Sequence, residues 1–247
     1  MIELNHPLLL NEFLRIGITP EHIESLPNDV KAALKNGIPS PVLITSLQSH
    51  DNTMVQIPAR IQVVNDDAGK PTIKLYGVRT ELHNIYDISP EDFNQIKKGN
   101  VLTVKTDTNT LYLQADPVTN NILSITSKEL HLEEKMKSVE KILDIELGRE
   151  QKQSILDGKP VTLEIGGEKS TIGVDIMSPN AFKMLKGDLN EWKRQQEINY
   201  DIAHPEFMGL VQTDENRWEY MMVQKHGLNA KELEQSTAQV RNSSMKR

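Results

Sequence analysis

The alternation of polar and apolar positions predicts a unit made of one helix followed by three strands. In "ISPEDFNQIKKG", which begins at Ile88, apolar residues recur at helical spacing, Ser89 and Pro90 suit a helix start, and Gly99 suits a helix end. Three short apolar stretches follow, "VLTVK", "NTLYLQA" and "ILSIT", and the turn residues "DPVTNN" separate the last two. The pattern therefore predicts a helix beside a three-stranded meander.

The same pattern recurs further along the chain. When Gly158 is placed over Gly99, an offset of 158 − 99 = 59, "LGREQKQSILDGKPVTLEI" aligns with "ISPEDFNQIKKGNVLTVKT". Gly148 takes the cap position, and strands are predicted in "PVTLEI", "STIGVDIM" and "AFKML". We predict that the two units are structurally equivalent. We also predict a positive φ at both glycines, because a chain that leaves a helix so abruptly needs a left-handed residue.

A third, looser copy precedes these two. "ITPEHIESL" matches the helix start at an offset of 88 − 18 = 70, whereas "ALKNGIPSPVLI" matches the helix end at 99 − 37 = 62. An insertion around "PNDVKAA" reconciles the two offsets. Strands are then predicted in "VLITSL", "VQIPARIQVV" and "TIKLYGV", with "NDDAGKP" as a hairpin turn.

Together these elements predict an α+β protein of repeated helix-plus-three-stranded-meander units with a mixed α/β C-terminal extension. The predicted divisions are an N-terminal α+β domain with the first repeat (1–85), the second unit (86–128), a connecting helix (129–146), the third unit (147–187) and the extension (188–247). The apolar face predicted for the connecting helix "LEEKMKSVEKIL" consists of Leu132, Met136, Val139, Ile142 and Leu143.

Within the extension, "DLNEWKRQQEINYDIAHPEF" begins as a helix that ends before its proline. "FMGLVQ" and "RWEYMMVQ" flank the turn "TDEN" and predict a hairpin. "NAKELEQSTAQV" predicts a short exposed helix, and "RNSSMKR" predicts a disordered end.

Composition narrows the classes of function. The chain has 247 residues, enough for a real core, but aromatic residues are only 4%, so the core must be mostly aliphatic. The absence of cysteine excludes disulfides, thiolate zinc sites and a cysteine nucleophile. With no signal-peptide pattern and no long apolar stretch, we expect a cytoplasmic protein without membrane contact. The net charge of −7 disfavours a nucleic-acid partner, which usually requires a concentrated basic face.

Motifs that carry enzyme chemistry are weak in this chain. The seven histidines are scattered, and although Asp201, His204 and Glu206 are closely spaced, Pro205 interrupts any helix that would place them on one face. The glycines of "LEIGGEKST" lack the spacing of a phosphate loop and precede a strand, which indicates a hairpin turn. A local basic patch around "WKR" is interpreted as solvated surface. We therefore expect no catalytic, cofactor-binding or metal-binding residues and no cofactor.

Aromatic residues gather in the extension of this otherwise aromatic-poor chain. They can anchor a protein partner, stack on bases, or pin the extension onto the repeats. The candidate partner-binding residues are Trp192, Tyr200, Phe207, Trp218 and Tyr220. The role predicted for Gly99 and Gly158 is structural only.

The block "LGREQKQSILDGKPVTLEI", followed by a hairpin and then by "AHPEFMGLVQTDENRWEY", resembles uncharacterised domains encoded on gut-bacterial conjugative elements and related phages. The front, from "NEFLRIGITPEHIESL" to "LKNGIPSPVLI", is similar to a second such domain that often precedes the first. The resemblance covers most of the chain, from Asn11 to Gly227. It implies an accessory protein of a mobile element and transfers no catalytic or ligand-binding residue.

The function expected from these observations is a non-enzymatic protein-interaction module. The first alternative is a nucleic-acid-binding or DNA-protection protein that acts during conjugation or phage entry, which would bind strands with strongly salt-dependent affinity. The second alternative is an unrecognised hydrolase, which would show a pocket of clustered carboxylates or histidines with perturbed pKa values.

Overall fold

In the computed structural model of the protein, the described residues are 2–48, 52–66, 68–105, 109–202, 207–212 and 218–223, with side chains described up to residue 196. The fold is α+β and contains three separate three-stranded antiparallel meanders, which confirms the predicted class. The helices are α1 (Pro7–Arg15), α2 (Pro20–Ser25), α3 (Asn28–Lys35), α4 (Pro90–Lys97), α5 (Ser127–Leu130), α6 (Leu132–Leu143), α7 (Arg149–Leu156) and α8 (Leu189–Ile202).

The strands form the meanders in chain order. They are β1 (Leu43–Gln48), β2 (Met54–Asn65), β3 (Pro71–Gly77), β4 (Leu102–Lys105), β5 (Thr110–Asp116), β6 (Asn121–Thr126), β7 (Val161–Ile165), β8 (Glu168–Val174), β9 (Phe182–Lys186), β10 (Phe207–Gln212) and β11 (Trp218–Val223). We call α1–α3 with β1–β3 the first unit, α4 with β4–β6 the second unit, and α7 with β7–β9 the third unit.

The second and third units share a strand register as well as an element order. Leu102 lies opposite Leu113 in the β4–β5 pair, and Val161 lies opposite Ile172 in the β7–β8 pair. Adding 59 to each member of the first pair gives the second pair (102 + 59 = 161, 113 + 59 = 172). The offset read from the sequence therefore describes real structural equivalence through the first two strands.

The last strand departs from this equivalence by one residue. Leu111 lies opposite Thr126 in the second unit, whereas its counterpart Ser170 lies opposite Lys186 instead of the residue at 126 + 59 = 185. The extra residue lies in the connection before β9, where Ala181 has a φ of 62°. A loop takes up an inserted residue more readily than a paired strand does.

Both repeated helices end as predicted. Gly99 has a φ of 80° and Gly158 a φ of 74°. Their amides donate to the carbonyl oxygens of Ile96 and Ile155, each at 2.9 Å, and in both units the following amide bonds to the carbonyl five residues before it. This pair of bonds is the Schellman arrangement, which satisfies the last carbonyls of a helix.

In the first unit the two sequence echoes belong to different helices. Thr19 caps the start of α2, whereas Gly37, with a φ of 66°, ends α3. The predicted insertion is thus a helix of its own. β1 begins six residues after Gly37 (43 − 37 = 6), against three after Gly99 (102 − 99 = 3), and Pro39 and Pro41 lie in that longer entry. α1, which was not predicted, also belongs to this unit.

α6 forms over the predicted stretch, but one residue of its predicted apolar face is misplaced. Leu132 and Met136 are buried, and Val139 packs against the same cluster. Ile142 is 74% exposed. At about 100° per residue, Ile142 lies roughly 80° from the direction of Leu132, so it points away from the core.

The extension contains α8 and the predicted hairpin, in which β10 and β11 pair antiparallel. β10 lies beside β2 of the first unit. The turn "TDEN" and the stretches "NAKELEQSTAQV" and "RNSSMKR" lie outside the described residues. Among the helices that the structure describes, none combines the length and the apolar character needed to cross a membrane.

Candidate functional site

Of the candidate partner-binding aromatics, the structure describes the side chain of Trp192 only. Trp192 is 4% exposed, and its ring lies against Gly173 of β8, so it pins α8 onto the third unit. A Cβ added at Gly173 would be 2.9 Å from Cζ2 of the indole. In this arrangement the ring is not available to a partner. The side chains of four further candidates lie outside the described part of the chain: Tyr200, Phe207, Trp218 and Tyr220.

The other stretches considered for chemistry do not assemble a site in the described residues. His204 and Glu206 lie outside them. Gly166 and Gly167 have positive φ in the β7–β8 turn with open space around them, as expected of a hairpin turn. In the basic patch, Arg194 is occupied by an ion pair with its helix neighbour Glu191 (2.6 Å).

A lysine–serine contact deserves comparison with hydrolase chemistry, because some hydrolases activate a serine with a lysine. Lys74 Nζ lies 3.2 Å from Ser124 Oγ. Ser124 is only 2% exposed, so a substrate does not reach its hydroxyl. The backbone of Ser124 also accepts a hydrogen bond from Gln62, whose side chain accepts one from Tyr76 at 2.8 Å. This network joins the first unit to β6 and is structural.

Burial has a clear electrostatic effect in that network. It raises the pKa of the Tyr76 hydroxyl well above its ordinary value, so the residue is a neutral hydrogen-bond donor to Gln62. Across the described residues, no three His, Asp or Glu side chains come together in a way that could hold a metal ion.

The most site-like feature is a cavity of about 650 Å³ between the first unit and α6. Its walls are the end of α3, the end of β2 and the α5–α6 segment. A cavity of this size is in the range of small-molecule and peptide sites. The lining residues that matter below are apolar Ile2, Val63 and Val64 and charged Lys35, Glu134 and Lys135.

A second cavity, of about 570 Å³, lies next to the first and is also lined by α3. The two share Ile2 and Lys35. The second is also lined by Glu3, Glu24 and Lys31, which belong to the N-terminal segment, α2 and α3. We call the two cavities together the α3 groove.

The α3 side of the groove is held by backbone contacts. The amide of Ile2 donates to the carbonyl oxygen of Lys35 at 2.8 Å and fixes the N-terminal segment to the end of α3. A Cβ added at Gly37 would be 3.2 Å from the carbonyl oxygen of Val63, so a glycine lets α3 end close against β2.

The opposite wall is shaped by the break between α5 and α6. Thr126 caps α5 by accepting from the amide of Glu129 at 3.2 Å, and the Glu129 carboxylate accepts in return from the amide of Thr126 at 3.0 Å. His131 is left-handed, with a φ of 50°, and turns the chain into α6. This bend directs the first turn of α6 along the groove.

The charges in the groove are incompletely paired. Lys135 is half-buried, and burial lowers the pKa of its ammonium group. Within the described part of the chain, neither Lys135 nor Lys35 takes part in a hydrogen bond or ion pair through its side chain. Glu134 is 83% exposed at its side chain and lies 3.9 Å from His131 Nδ1. The groove therefore contains two cationic groups without close counter-charges.

Sequence reasoning missed the groove. Its residues come from three separate stretches of the chain: the N-terminal segment with α2 and α3, the end of β2, and α5 with α6. Lys135 looks like one more charge on the polar face of an amphipathic helix. Lys135 is half-buried in a cavity whose other wall belongs to the first unit. The sequence does contain one signal near the groove. The run "NGIPSP" after α3 contains two prolines, which indicate an irregular connection between α3 and β1.

Comparison with known proteins finds a family match for the N-terminal part of the chain. A family model described as "Protein of unknown function (DUF4099)" matches residues 6–85. No curated protein and no solved structure matches the chain. The matched stretch contains the whole first unit and so supplies the α3 wall of the groove, whereas the α6 wall lies outside it. The first unit is therefore similar to an uncharacterised domain family, as the resemblance implied.

Proposed function

We propose that this protein is a non-enzymatic protein-interaction module whose α3 groove binds an extended segment of a partner protein. The observation that carries the proposal is the groove itself: two neighbouring cavities that share Ile2 and Lys35, with an apolar floor and a charged rim that includes unpaired Lys35 and Lys135. Apolar floors give affinity to a bound peptide, and charged rims give orientation and specificity.

The chemistry of the groove supports binding over conversion. Catalysis requires a nucleophile or a base with an orienting partner within hydrogen-bond reach. The Glu129 carboxylate is occupied by the cap of α5, and Glu134 extends into solvent. His131, which also lines the groove, lies 3.9 Å from Glu134, beyond hydrogen-bond distance, so the groove offers charges for recognition.

The setting that we propose is the cytoplasm of a cell that carries a mobile element, with this chain as an accessory protein of that element. The support is the resemblance of the blocks from Asn11 to Gly227 to domains of conjugative elements and phages, together with the family match of the first unit. The net charge of −7 favours a protein over a nucleic acid as the partner.

Site-specific photocrosslinking tests the proposal. A photoreactive phenylalanine analogue replaces Ser138, which lines the groove, or, as a matched control, exposed Lys137 of the same helix, which does not. In cells of the source organism we expect a discrete protein adduct from position 138 only. Equal adducts at both positions, or an adduct removed by nuclease and not by protease, would contradict the proposal.

A second step ties the adduct to the groove. The crosslinked protein, once identified by mass spectrometry, is purified and titrated against this protein by calorimetry. Asn65→Trp adds bulk to an exposed residue that lines the groove and should abolish the measured heat of binding, because the ring occupies the space of the bound segment. Lys98→Trp, on an exposed position at the end of α4, is the control and should leave binding unchanged. Binding that survives Asn65→Trp would remove the groove from the proposal.

A further inference from the structure

We infer that the α3 groove recognises charge polarity: its α6 end receives an acidic group of the bound segment and its α2 end receives a basic group. This inference rests on the proposed function and adds to it the chemical class of the ligand.

At the α6 end the evidence is an ammonium group that lacks a partner. Lys135 is half-buried in the groove wall, and Lys35 lines the same cavity from the opposite side. The nearby carboxylate of Glu129 is already engaged, because it accepts from the amide and the hydroxyl of Thr126 at 3.0 and 2.7 Å. An ammonium that has lost part of its hydration gains most from a charge-assisted bond to a carboxylate.

Each cavity is lined by two lysines and two glutamates, and at the α2 end the carboxylates are the groups that lack partners. Glu3 and Glu24 line this cavity, and neither carboxylate has an ion pair within the described residues. Two lysines line this cavity: Lys35, which also lines the other cavity, and Lys31. Lys31 Nζ donates to the backbone carbonyl oxygen of Glu24 at 2.6 Å. Lys31 is thus turned to the backbone, and the two carboxylates are left for a cation of the ligand.

The length of α3 sets the spacing of the two ligand charges. α3 has 8 residues, which corresponds to about 12 Å of helix. An extended peptide rises about 3.3 Å per residue, so an acidic and a basic side chain roughly four positions apart match the two ends. A segment with a single charge sign leaves one end of the groove in a like-charge contact.

The test uses four fluorescein-labelled decapeptides of otherwise identical neutral sequence, with Asp or Lys at two positions four residues apart: Asp–Lys, Lys–Asp, Asp–Asp and Lys–Lys. Both mixed peptides are included because the direction of the chain in the groove is open. By fluorescence anisotropy we expect one mixed peptide to bind about tenfold more tightly than either single-sign peptide, the effect of one charge-assisted bond.

Charge reversal at each end gives the decisive comparison. Lys135→Glu should move the preference to Lys–Lys, and Glu24→Lys should move it to Asp–Asp. Lys137→Glu, an exposed change on the same helix, should alter nothing. Lys135→Gln, which keeps the length of the side chain approximately, should weaken the preferred mixed peptide about tenfold without moving the preference to Lys–Lys. Circular dichroism and thermal melting confirm that each variant is folded.

The possible failures are distinguishable. If the four peptides bind alike in every variant while the crosslinked partner still depends on Asn65, the polarity inference is overturned and the groove remains a binding site. If the partner binds equally well to Asn65→Trp, the proposed function itself has failed.

Discussion

The two junctions between units are built from opposite kinds of interaction. Between the first and second units, Arg60 forms a two-pronged ion pair with Asp116, with Nε–Oδ2 at 2.6 Å and Nη2–Oδ1 at 3.1 Å. The Asp116 side chain is fully buried and also accepts from the Thr119 hydroxyl at 2.6 Å. Arg60 donates further to the carbonyl oxygen of Ser40 at 2.8 Å. We call this junction the polar seam.

Between the second and third units the contact is mainly apolar. One side contributes Leu123 and Ile125 of β6, and the other contributes Ile155 and Ile172, all in a single buried cluster. Tyr112 joins this cluster and donates its hydroxyl to the carbonyl oxygen at the end of α7 at 2.7 Å. Burial raises the pKa of Tyr112 to about 12, so this donor stays neutral. We call this junction the apolar stack.

The difference shows what each junction is suited to do. Burial of apolar surface has no preferred direction, so one helix-and-meander unit can be set on another at a constant offset with little further specification. A buried ion pair is favourable only in one geometry, and therefore it sets the orientation of the first unit. Gln62 links the α3 groove to the second unit, since it donates to the carbonyl oxygens of Gly37, which lines the groove, and Ser124 of β6.

The largest expected effect is at the polar seam. Asp116→Ala leaves Arg60 buried without its counter-charge, and we expect the free energy of unfolding, measured by urea denaturation, to fall by about 3–5 kcal/mol. In the double variant Arg60→Met with Asp116→Ala, compared with Asp116→Ala and Arg60→Met alone, the unpaired charge is gone. Its loss should be well below the sum of the two single losses, whereas simple additivity would show that the pair does not act as a unit.

The apolar stack should respond almost as strongly. Ile155→Ala removes a fully buried side chain, and we expect a loss of about 3 kcal/mol in urea denaturation. Ile96→Ala is the matched control, because Ile96 is the equivalent residue of the second unit (96 + 59 = 155) and is also fully buried.

Amide hydrogen exchange should distinguish the effects of Ile155→Ala from those of Ile96→Ala. Ile155→Ala should raise amide exchange in both β5 and β8, because Ile155 packs in the cluster that both units share, whereas Ile96→Ala should leave β8 protected. Exchange confined to β8 in Ile155→Ala would mean that the stack does not couple the two units.

The repeat could be predicted because its signals are local. A capping serine followed by proline, and a glycine that ends the helix, each act within about one turn, and Ser89, Pro90 and Gly99 have the predicted roles. The strand register follows from the equal spacing of these signals. Local signals are visible in a single sequence because the residues that satisfy them are neighbours.

What could not be predicted depends on distant contacts or on ambiguous patterns. The sequence did not predict α1, because its three consecutive leucines, Leu8 to Leu10, do not show the spacing of an amphipathic helix. The proline at the first position of the helix, Pro7, was the only start signal that it offered. Asp116 is buried beside the first unit, and Lys135 is half-buried in a cavity whose other wall belongs to that unit. No pattern within about ten residues of either position distinguishes it from an ordinary surface charge.

The next largest loss of stability is expected at the two glycines that end the repeated helices, Gly99 and Gly158. Both have positive φ, so alanine is strained at either position, and we expect Gly99→Ala to cost about 1 kcal/mol of unfolding free energy. Gly158→Ala should cost about 2 kcal/mol, because its added Cβ would also lie 3.1 Å from Thr103 and 3.2 Å from the carbonyl oxygen of Val101 in the neighbouring unit.

A third glycine provides the control for this comparison. Gly148 has a φ of −63° and room for a methyl group, so Gly148→Ala should change stability by less than about 0.5 kcal/mol. Stabilisation by alanine at both Gly99 and Gly158 in urea melts would remove their role as helix terminators.

The smallest expected effect concerns an ion pair between the second and third units. Lys105 Nζ lies 3.1 Å from Asp157 Oδ1, and both side chains are partly exposed. The hydrogen bond from Lys105 is the main cause that lowers the pKa of Asp157. Exposed pairs contribute little, so Lys105→Gln should lower the free energy of unfolding by about 0.2–1 kcal/mol at neutral pH.

The contribution of this ion pair to the free energy of unfolding should depend on pH in one direction only. The carboxyl of Asp157 titrates at lower pH in the folded than in the unfolded protein, so its contribution is present above the ordinary pKa of 3.8 and is lost as pH falls through the folded value. The difference between wild type and Lys105→Gln should therefore disappear in acid. It should also shrink in about 1 M salt, where charges are screened over about 3 Å. A difference that persists under both conditions would arise from the aliphatic part of Lys105, and the stack would then be apolar even at this contact.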